Sequence, residues 1–414
     1  MRPVTHILVT LTLLGANTVL AADIADWPRH TIDASSEGAD GVRVADINGD
    51  GLPDIATAWE EGGSIRYYLS PGKHLSKTAW PKGIVAAVAS PEDAVFADMD
   101  GDGVMDIVSC SEGKERKVWF HWAPAAHSGM TTVDAWETEA LPVAANRAQW
   151  MFSLPGDVDG DGRTDLVVGA KGDAAAIGWF RAPENPRKME DWTWHPLREA
   201  GWIMSLFWHD MNNDGFQDIV YSDRRGPRRG IGWLEHPGQD GPSDVAHGWQ
   251  DHRMGGEDHE VMFLCPESPK LGAATTWWCT TRDGPLLRLG RAAASKWQLS
   301  AWPMPATTGT GKGIGVGDMD GDGRSDIVVS CENAADKVGV FWLQGQPGDG
   351  VSVASSDNET TMHSISGLVG TKYDLVVLLD LDGDGDLDVV TCEEREGLGV
   401  LWYENPGSID PSRE

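Results

Sequence analysis

Basic residues are scarce in this 414-residue chain: 33 Lys and Arg stand against 64 Asp and Glu. The formal net charge of −31 repels phosphate backbones and excludes a nucleic-acid partner. Long apolar runs are scarce as well. Residues 1–21 read as a secretory signal, with Arg2 at the positive end, Ile7 to Leu14 as the apolar stretch and Val19-Leu20-Ala21 at the cleavage site. That stretch is too short and too rich in Thr to span a bilayer, and no later segment is apolar enough to do so. The expected location is outside the cytosol: periplasm, cell surface or medium. Cysteine is rare too, with five residues. Cys110, Cys331 and Cys392 occupy nearly the same place in different repeats, so they read as small buried residues. A hairpin joining Cys265 to Cys279 would set Cys279 opposite about residue 259, and no disulfide is expected.

Six acidic loops account for much of the negative charge. Each places an oxygen side chain at positions 1, 3 and 5, Gly at 6 and Asp at 9, followed by a β-branched run. The sets are Asp46, Asn48, Asp50, Asp54; Asp98, Asp100, Asp102, Asp106; and Asp157, Asp159, Asp161, Asp165. Three more are Asp210, Asn212, Asp214, Asp218; Asp318, Asp320, Asp322, Asp326; and Asp380, Asp382, Asp384, Asp388. Alternate oxygen ligands with a Gly for the sharp turn suit a hard cation, so about six structural Ca²⁺ ions are expected. A helix–loop–helix calcium site is excluded by the β-branched residues after each loop.

The loops begin 52, 59, 53, 108 and 62 residues apart, and the 108-residue gap hides a further repeat near residue 264 without the acidic loop. Two other signatures each occur seven times. One is a strand rich in aromatics, such as VWFHWAP at 118–124 and IGWLEHP at 231–237. The other is Trp-x-x-His or a decayed form, beginning at Trp27, Trp80, Trp136, Trp192, Trp249 and Trp297, with TMHSI near Thr361 as the Trp-less copy. Four short strands per repeat predict an all-β, seven-bladed β-propeller with four antiparallel strands per blade, over residues 23–406, followed by a tail at 407–414. The chain opens on a fourth-strand signature and ends after a third-strand one. The N-terminal strand is therefore expected to complete the last blade and remove two open edges.

The GDxDGDGxxDIVV pattern resembles the FG-GAP/VCBS repeat family, which is related to the integrin α-chain propeller. That resemblance implies the propeller and the calcium loops, and leaves function open, because the family includes adhesion modules, carbohydrate binders and sugar-cleaving enzymes. At blade level the aromatic strands are also similar to the propeller of aldos-2-ulose dehydratase, whose appended cupin domains this chain lacks.

In such a ring the acidic loops occupy one face and the candidate site the other. Six residues before each first loop Asp stand Asp40, Glu92, Met151, Met204, Lys312 and Asp374; anchoring the loop-less repeat on Cys265 adds His259. Neighbours are Arg43, Asp93, Arg147, Gln149, Trp150, Trp202, Glu260 and Lys372. Carboxylates, cations and Trp around one mouth are what a carbohydrate or other anionic ligand requires. The same mixture also arises as local ion pairs on a solvated rim. The Asp258-His259-Glu260 triplet, expected in the inner strand, marks the loop-less repeat as a sector for chemistry. Two functions compete: a secreted monomeric binding module, with Asp40, Arg43, Glu92, Asp93, Gln149, Trp150, Trp202, Lys372 and Asp374 on the ligand, and a sugar lyase or dehydratase acting by β-elimination. In the second, His259 or Lys312 is the base, Arg147 or Lys372 stabilises the enolate and Glu92 or Glu260 orients the sugar. A protein scaffold with a flat, unliganded face is the third class. Gly309-x-Gly311-Lys312-Gly313 lacks the following Ser/Thr and helix of a phosphate loop.

Overall fold

The computed structural model describes residues 26–124, 135–238, 245, 247–267, 276–282, 284–293, 296–345 and 361–407; the signal-like residues 1–21 and the tail beyond 407 lie outside them. These residues form seven four-stranded antiparallel sheets arranged as a β-propeller. Six blades are consecutive. Their inner strands are Ala39–Ala45, Pro91–Ala97, Gln149–Gly156, Ile203–His209, Val261–Pro266 and Thr310–Gly317. The seventh takes three strands from the C-terminal end, with Val377–Leu379 innermost, and its outermost from the start, Arg29–Asp33. His30 faces Trp402 and Arg29 faces Tyr403 across that seam. The N-terminal strand thus closes the ring as the signature order predicts.

The second strands, such as Asp54–Trp59 and Asp106–Ser111, are buried at every residue, since both faces of each blade meet a neighbouring blade. Their sequences accordingly read as unbroken runs of small and apolar residues. On the outer strands the repeated His side chains stack on the Trp of the adjacent strand: His30 on Trp402, His195 on Trp179, His252 on Trp233 and His363 on Trp342. They are packing pairs. Trp402 is fully buried at the closing seam. Trp402→Ala is expected to cost about 3–5 kcal/mol, read as a lowered urea midpoint; a loss below about 1 kcal/mol would mean the seam contributes little to closure.

All five cysteines are free. Cys279 faces Leu264 and Cys265 faces Trp278, so the hairpin register differs from the one expected, and the two thiols project to opposite sides of the sheet. Their separation on the sheet still leaves them unbridged.

Each acidic loop is a hydrogen-bonded turn. In the first, Asp46 accepts the N–H groups of Gly49, Asp50 and Gly51 at 2.8–3.1 Å. Positions 4 and 6 adopt left-handed backbone, as at Gly49 and Gly51, and Asn213 takes position 4 in the fourth loop. The position-9 Asp turns inward. Asp54 accepts Ile47 N–H at 3.0 Å and Ser70 N–H at 2.8 Å, which ties three strand ends together. Asp106, Asp165, Asp218, Asp326 and Asp388 repeat this pattern.

Candidate functional site

At the mouth opposite the acidic loops, the inner strands enclose a cavity of about 310 Å³. Its wall is built from two seven-membered rings. The lower ring is Asp40, Glu92, Met151, Met204, Met262, Lys312 and Asp374, one residue per blade. Each of the first six lies at a β-bulge where the inner strand's register slips, for example at Glu92 between Pro91 and Asp93 and at Met204 between Ile203 and Ser205. In blade 1 the slip begins at Asp40 itself. A bulge re-aims a side chain, and here it turns one residue of each of these six blades toward the axis. The upper ring is the residue that ends or follows the second strand: Glu60, Glu112, Lys171, Arg224, Arg282 and Glu332 on the wall, with Glu394 at the same position in blade 7, behind Asp40 and Asp374.

The two rings divide the cavity by charge. Blades 7, 1 and 2 supply a carboxylate to both rings. Blades 3, 4 and 5 supply a methionine below and a cation above, with Phe152 and Phe263 adding to the apolar floor. Lys312, nearly buried in blade 6, reaches into the acidic half, 2.5 Å from Asp374 and 2.7 Å from Glu394. Burial works against its charge, yet Asp374 and Asp40 hold the ammonium proton on above the ordinary lysine range. Burial would raise Asp374, but Lys312 overrides it and lowers that carboxyl to about 2. Asp40 behaves oppositely: burial, then the adjacent Asp374 carboxylate, push it well above the usual range. Burial also raises Glu92 and Glu60. The acidic arc therefore combines Asp374, whose carboxyl is held low, with Asp40, Glu92 and Glu60, whose carboxyls are pushed upward.

The opposite rim is cationic. Lys171 pairs with Glu92 at 3.3 Å and with Glu112. Trp202 carries Arg224 at 4.4 Å, Lys171 at 4.8 Å and Arg225 at 4.8 Å from its ring centre. The Arg224 side chain is 4% exposed and bonds Glu260 through Nε at 3.0 Å. Among the described residues its Nη2 and the Nε1 of Trp202 are buried without a hydrogen-bond partner. Such orphan donors are costly unless something else accepts from them.

An FG-GAP-like repeat model matches residues 46–109, 157–221 and 318–391, three stretches that each contain or span acidic loops of the seven-bladed ring. The chain is an FG-GAP-repeat β-propeller. No curated protein matches it in sequence. Among solved structures, that of BBS1N in complex with ARL6DN, soaked with lead, is similar with a TM-score of 0.51 and 9% identity, covering 92% of this chain and 97% of that one. At this identity the likeness is one of fold.

In this FG-GAP propeller, six of the residues read from the sequence as site residues line the cavity: Asp40, Glu92, Trp202, Lys312, Lys372 and Asp374. The others do not. His259 lies in the turn before the inner strand, and Met262 takes the ring position of blade 5. Glu260 also precedes the strand and acts through Arg224. Arg147 donates to Val143 O and lies over Trp194, away from the cavity. Arg43 and Asp93 pair with each other at 2.8 Å, and Asp93 accepts Ser153 N–H at 3.0 Å. Trp150 is fully buried between Phe180 and Trp194. Gln149 stands beside Gly172 outside the wall. Sequence reasoning missed Glu112, Glu394, Met262 and Phe263. The upper ring did have a signal: Asp54/Glu60, Asp106/Glu112, Asp165/Lys171, Asp218/Arg224, Asp326/Glu332 and Asp388/Glu394 share one spacing from the last loop Asp.

On the far face, carboxylate oxygens of Asp98, Asp100 and Asp106, of Asp157, Asp159 and Asp165, and of Asp318, Asp320 and Asp326 approach within 4.8 Å of one another. These all-oxygen donor sets fit a hard divalent cation. Among the described residues no helix is long and apolar enough to cross a membrane.

Proposed function

We propose that this propeller is a binding module that captures an anionic carbohydrate in the two-ring cavity, with Ca²⁺ bracing the six acidic loops on the other face. The observation behind this reading is the buried Arg224 guanidinium, which lines the cavity with Nη2 lacking an acceptor. A carboxylate or sulfate at the cationic rim supplies that acceptor, and the carboxyl oxygens of Asp40, Glu92 and Asp374 accept from sugar hydroxyls. The methionine and phenylalanine floor gives the apolar face of a pyranose a surface to rest on. Trp202 serves mainly as a platform for cations, since three of them already occupy its ring. Location outside the cytosol belongs to the same reading, because millimolar Ca²⁺ there suits loops of this type.

β-Elimination is less well supported. His259 stands outside the cavity, and Lys312 is held as an ammonium between Asp374 and Glu394, so neither is poised as a base.

Calorimetric titration with galacturonic acid and galactose tests the binding reading. The uronate is expected to bind and the neutral sugar to bind at least roughly tenfold more weakly, as expected when a charge-assisted hydrogen bond is lost. Arg224→Gln is expected to weaken uronate binding roughly ten- to hundredfold. Equal binding of both sugars, or an unchanged Arg224→Gln variant, would refute it.

A further inference from the structure

The cationic rim does not end at the cavity. Past Arg224 the loop between the second and third strands of blade 4 reads Asp223-Arg-Arg-Gly-Pro-Arg-Arg229, which concentrates four arginines in a chain that is otherwise short of cations. The loop is held in place from beneath. Asp223, fully buried, accepts the N–H groups of Gly201 and Trp202 at 3.1 and 2.9 Å and the Arg198 guanidinium at 2.8 Å. Arg198 also donates to Arg228 O at 2.5 Å. Gly226, with φ of 89°, packs against the Cα of Gly201.

The side chains are then arranged outward from the cavity. Arg225 lies over Trp202, 3.6 Å from Glu260, with 48% of its side chain exposed, and Arg228 is 47% exposed. Arg229 donates through Nε to Glu257 O at 2.7 Å. Arg253, on the outermost strand of the blade, donates to the backbone carbonyls of Arg228 and Arg229. Carbonyl partners order a guanidinium without neutralising it. Arg228 meets Asp251, which also accepts from Arg198. The cations thus form a track from the end of the second strand to the outermost strand of blade 4, two strand spacings or about 10 Å.

We propose that this track extends the cavity into a groove for a polyanionic polysaccharide, with one anionic sugar in the cavity and further anionic units lying across blade 4. The inference rests on the cavity being an anionic-sugar site and specifies that the natural ligand is a chain, not a monosaccharide. A single sugar residue in the cavity reaches only the first of these cations, whereas a chain with a charge on each unit also meets those farther along the blade. The same row steers a polyanion toward the mouth of a molecule whose net charge would otherwise repel it.

The test compares galacturonic acid with short and long oligogalacturonates, measured by calorimetry at several salt concentrations. Wild-type affinity is expected to rise with chain length and to fall steeply with salt. The double variant Arg228→Gln/Arg229→Gln is expected to bind long chains roughly tenfold more weakly, with a shallower salt dependence, while galacturonic acid binds as to wild type. Arg224→Gln should weaken monomer and chain alike, and thermal unfolding of each variant controls for folding. Affinity independent of length, or long chains bound equally by the double variant, would overturn the groove and leave the cavity reading standing. Polyglutamate bound as tightly as polygalacturonate would also overturn it, in favour of an acidic protein surface. If wild type binds neither galacturonic acid nor its oligomers, the cavity reading itself fails.

Discussion

Replacing Lys312 by Met is expected to cost about 3–5 kcal/mol of stability at neutral pH, because it strips the countercharge from a buried acidic cluster. Lys312 is 7% exposed, and its two partners, Asp374 and Glu394, are 2% and 6% exposed. Lys372 stays on Glu394, but Asp374 would keep only its hydrogen bond with Asp40 and lose its ion pair. Asp374 is the group whose carboxyl Lys312 lowers to about 2, so it contributes stability above the unfolded carboxylate range and loses it only as pH falls through about 2. Without the lysine, burial pushes that carboxyl upward, opposed only by the hydrogen bond with Asp40 and the charge of Lys372. It then takes up a proton as the pH drops, and the variant's deficit shrinks on acidification. Urea unfolding of wild type and variant at pH 7 and pH 5 measures both effects. A deficit below about 1 kcal/mol at pH 7 would show that water reaches these carboxylates and that the cluster is not held by Lys312.

The lower ring was largely legible because repeat arithmetic locates it. Counting back from the first loop Asp lands on Asp40, Glu92, Met151, Met204, Lys312 and Asp374, all of which line the cavity. The count failed only in blade 5, where no acidic loop offers an anchor. Val261 pairs with Thr281 and Leu264 with Cys279, so Met262 and Phe263 bulge between them, and the ring position lies past His259. The neighbours were less legible for a different reason. In a strand, alternate residues face opposite sides, so Trp150 beside Met151 is directed into the blade, where it meets Phe180 and Trp194. Charge type could not separate Arg43 and Asp93, which satisfy each other, from Arg224, whose Nη2 has no partner. That distinction depends on distance and burial, which composition does not encode.

Removing Ca²⁺ is expected to produce the other large effect, and to reverse the pH dependence of stability. In the metal-free protein, burial raises the position-9 carboxyls: Asp54 and Asp326 to about 6, and Asp106, Asp165, Asp218 and Asp388 to about 7. The unfolded chain gives up these protons near pH 3.8, whereas the folded chain holds them until about pH 6–7. Between those values the native state binds more protons, so its stability falls as pH rises. A chelated sample should therefore melt at a lower temperature at pH 8 than at pH 5. Ca²⁺ competes with the protons for the same oxygens, so its stabilisation should grow over that interval. At a hundredfold excess over Kd each occupied loop contributes about 2.7 kcal/mol. Six loops sum to more than the usual stability of a folded domain, so the chelated ring should melt tens of degrees lower or fail to close. Differential scanning calorimetry with and without chelator at the two pH values decides the matter. If chelation leaves the melting temperature unchanged at pH 8, the loops are held by their own hydrogen bonds and the metal is dispensable. If Ca²⁺ restores stability equally at both pH values, the position-9 carboxyls are not what couples the metal to the fold.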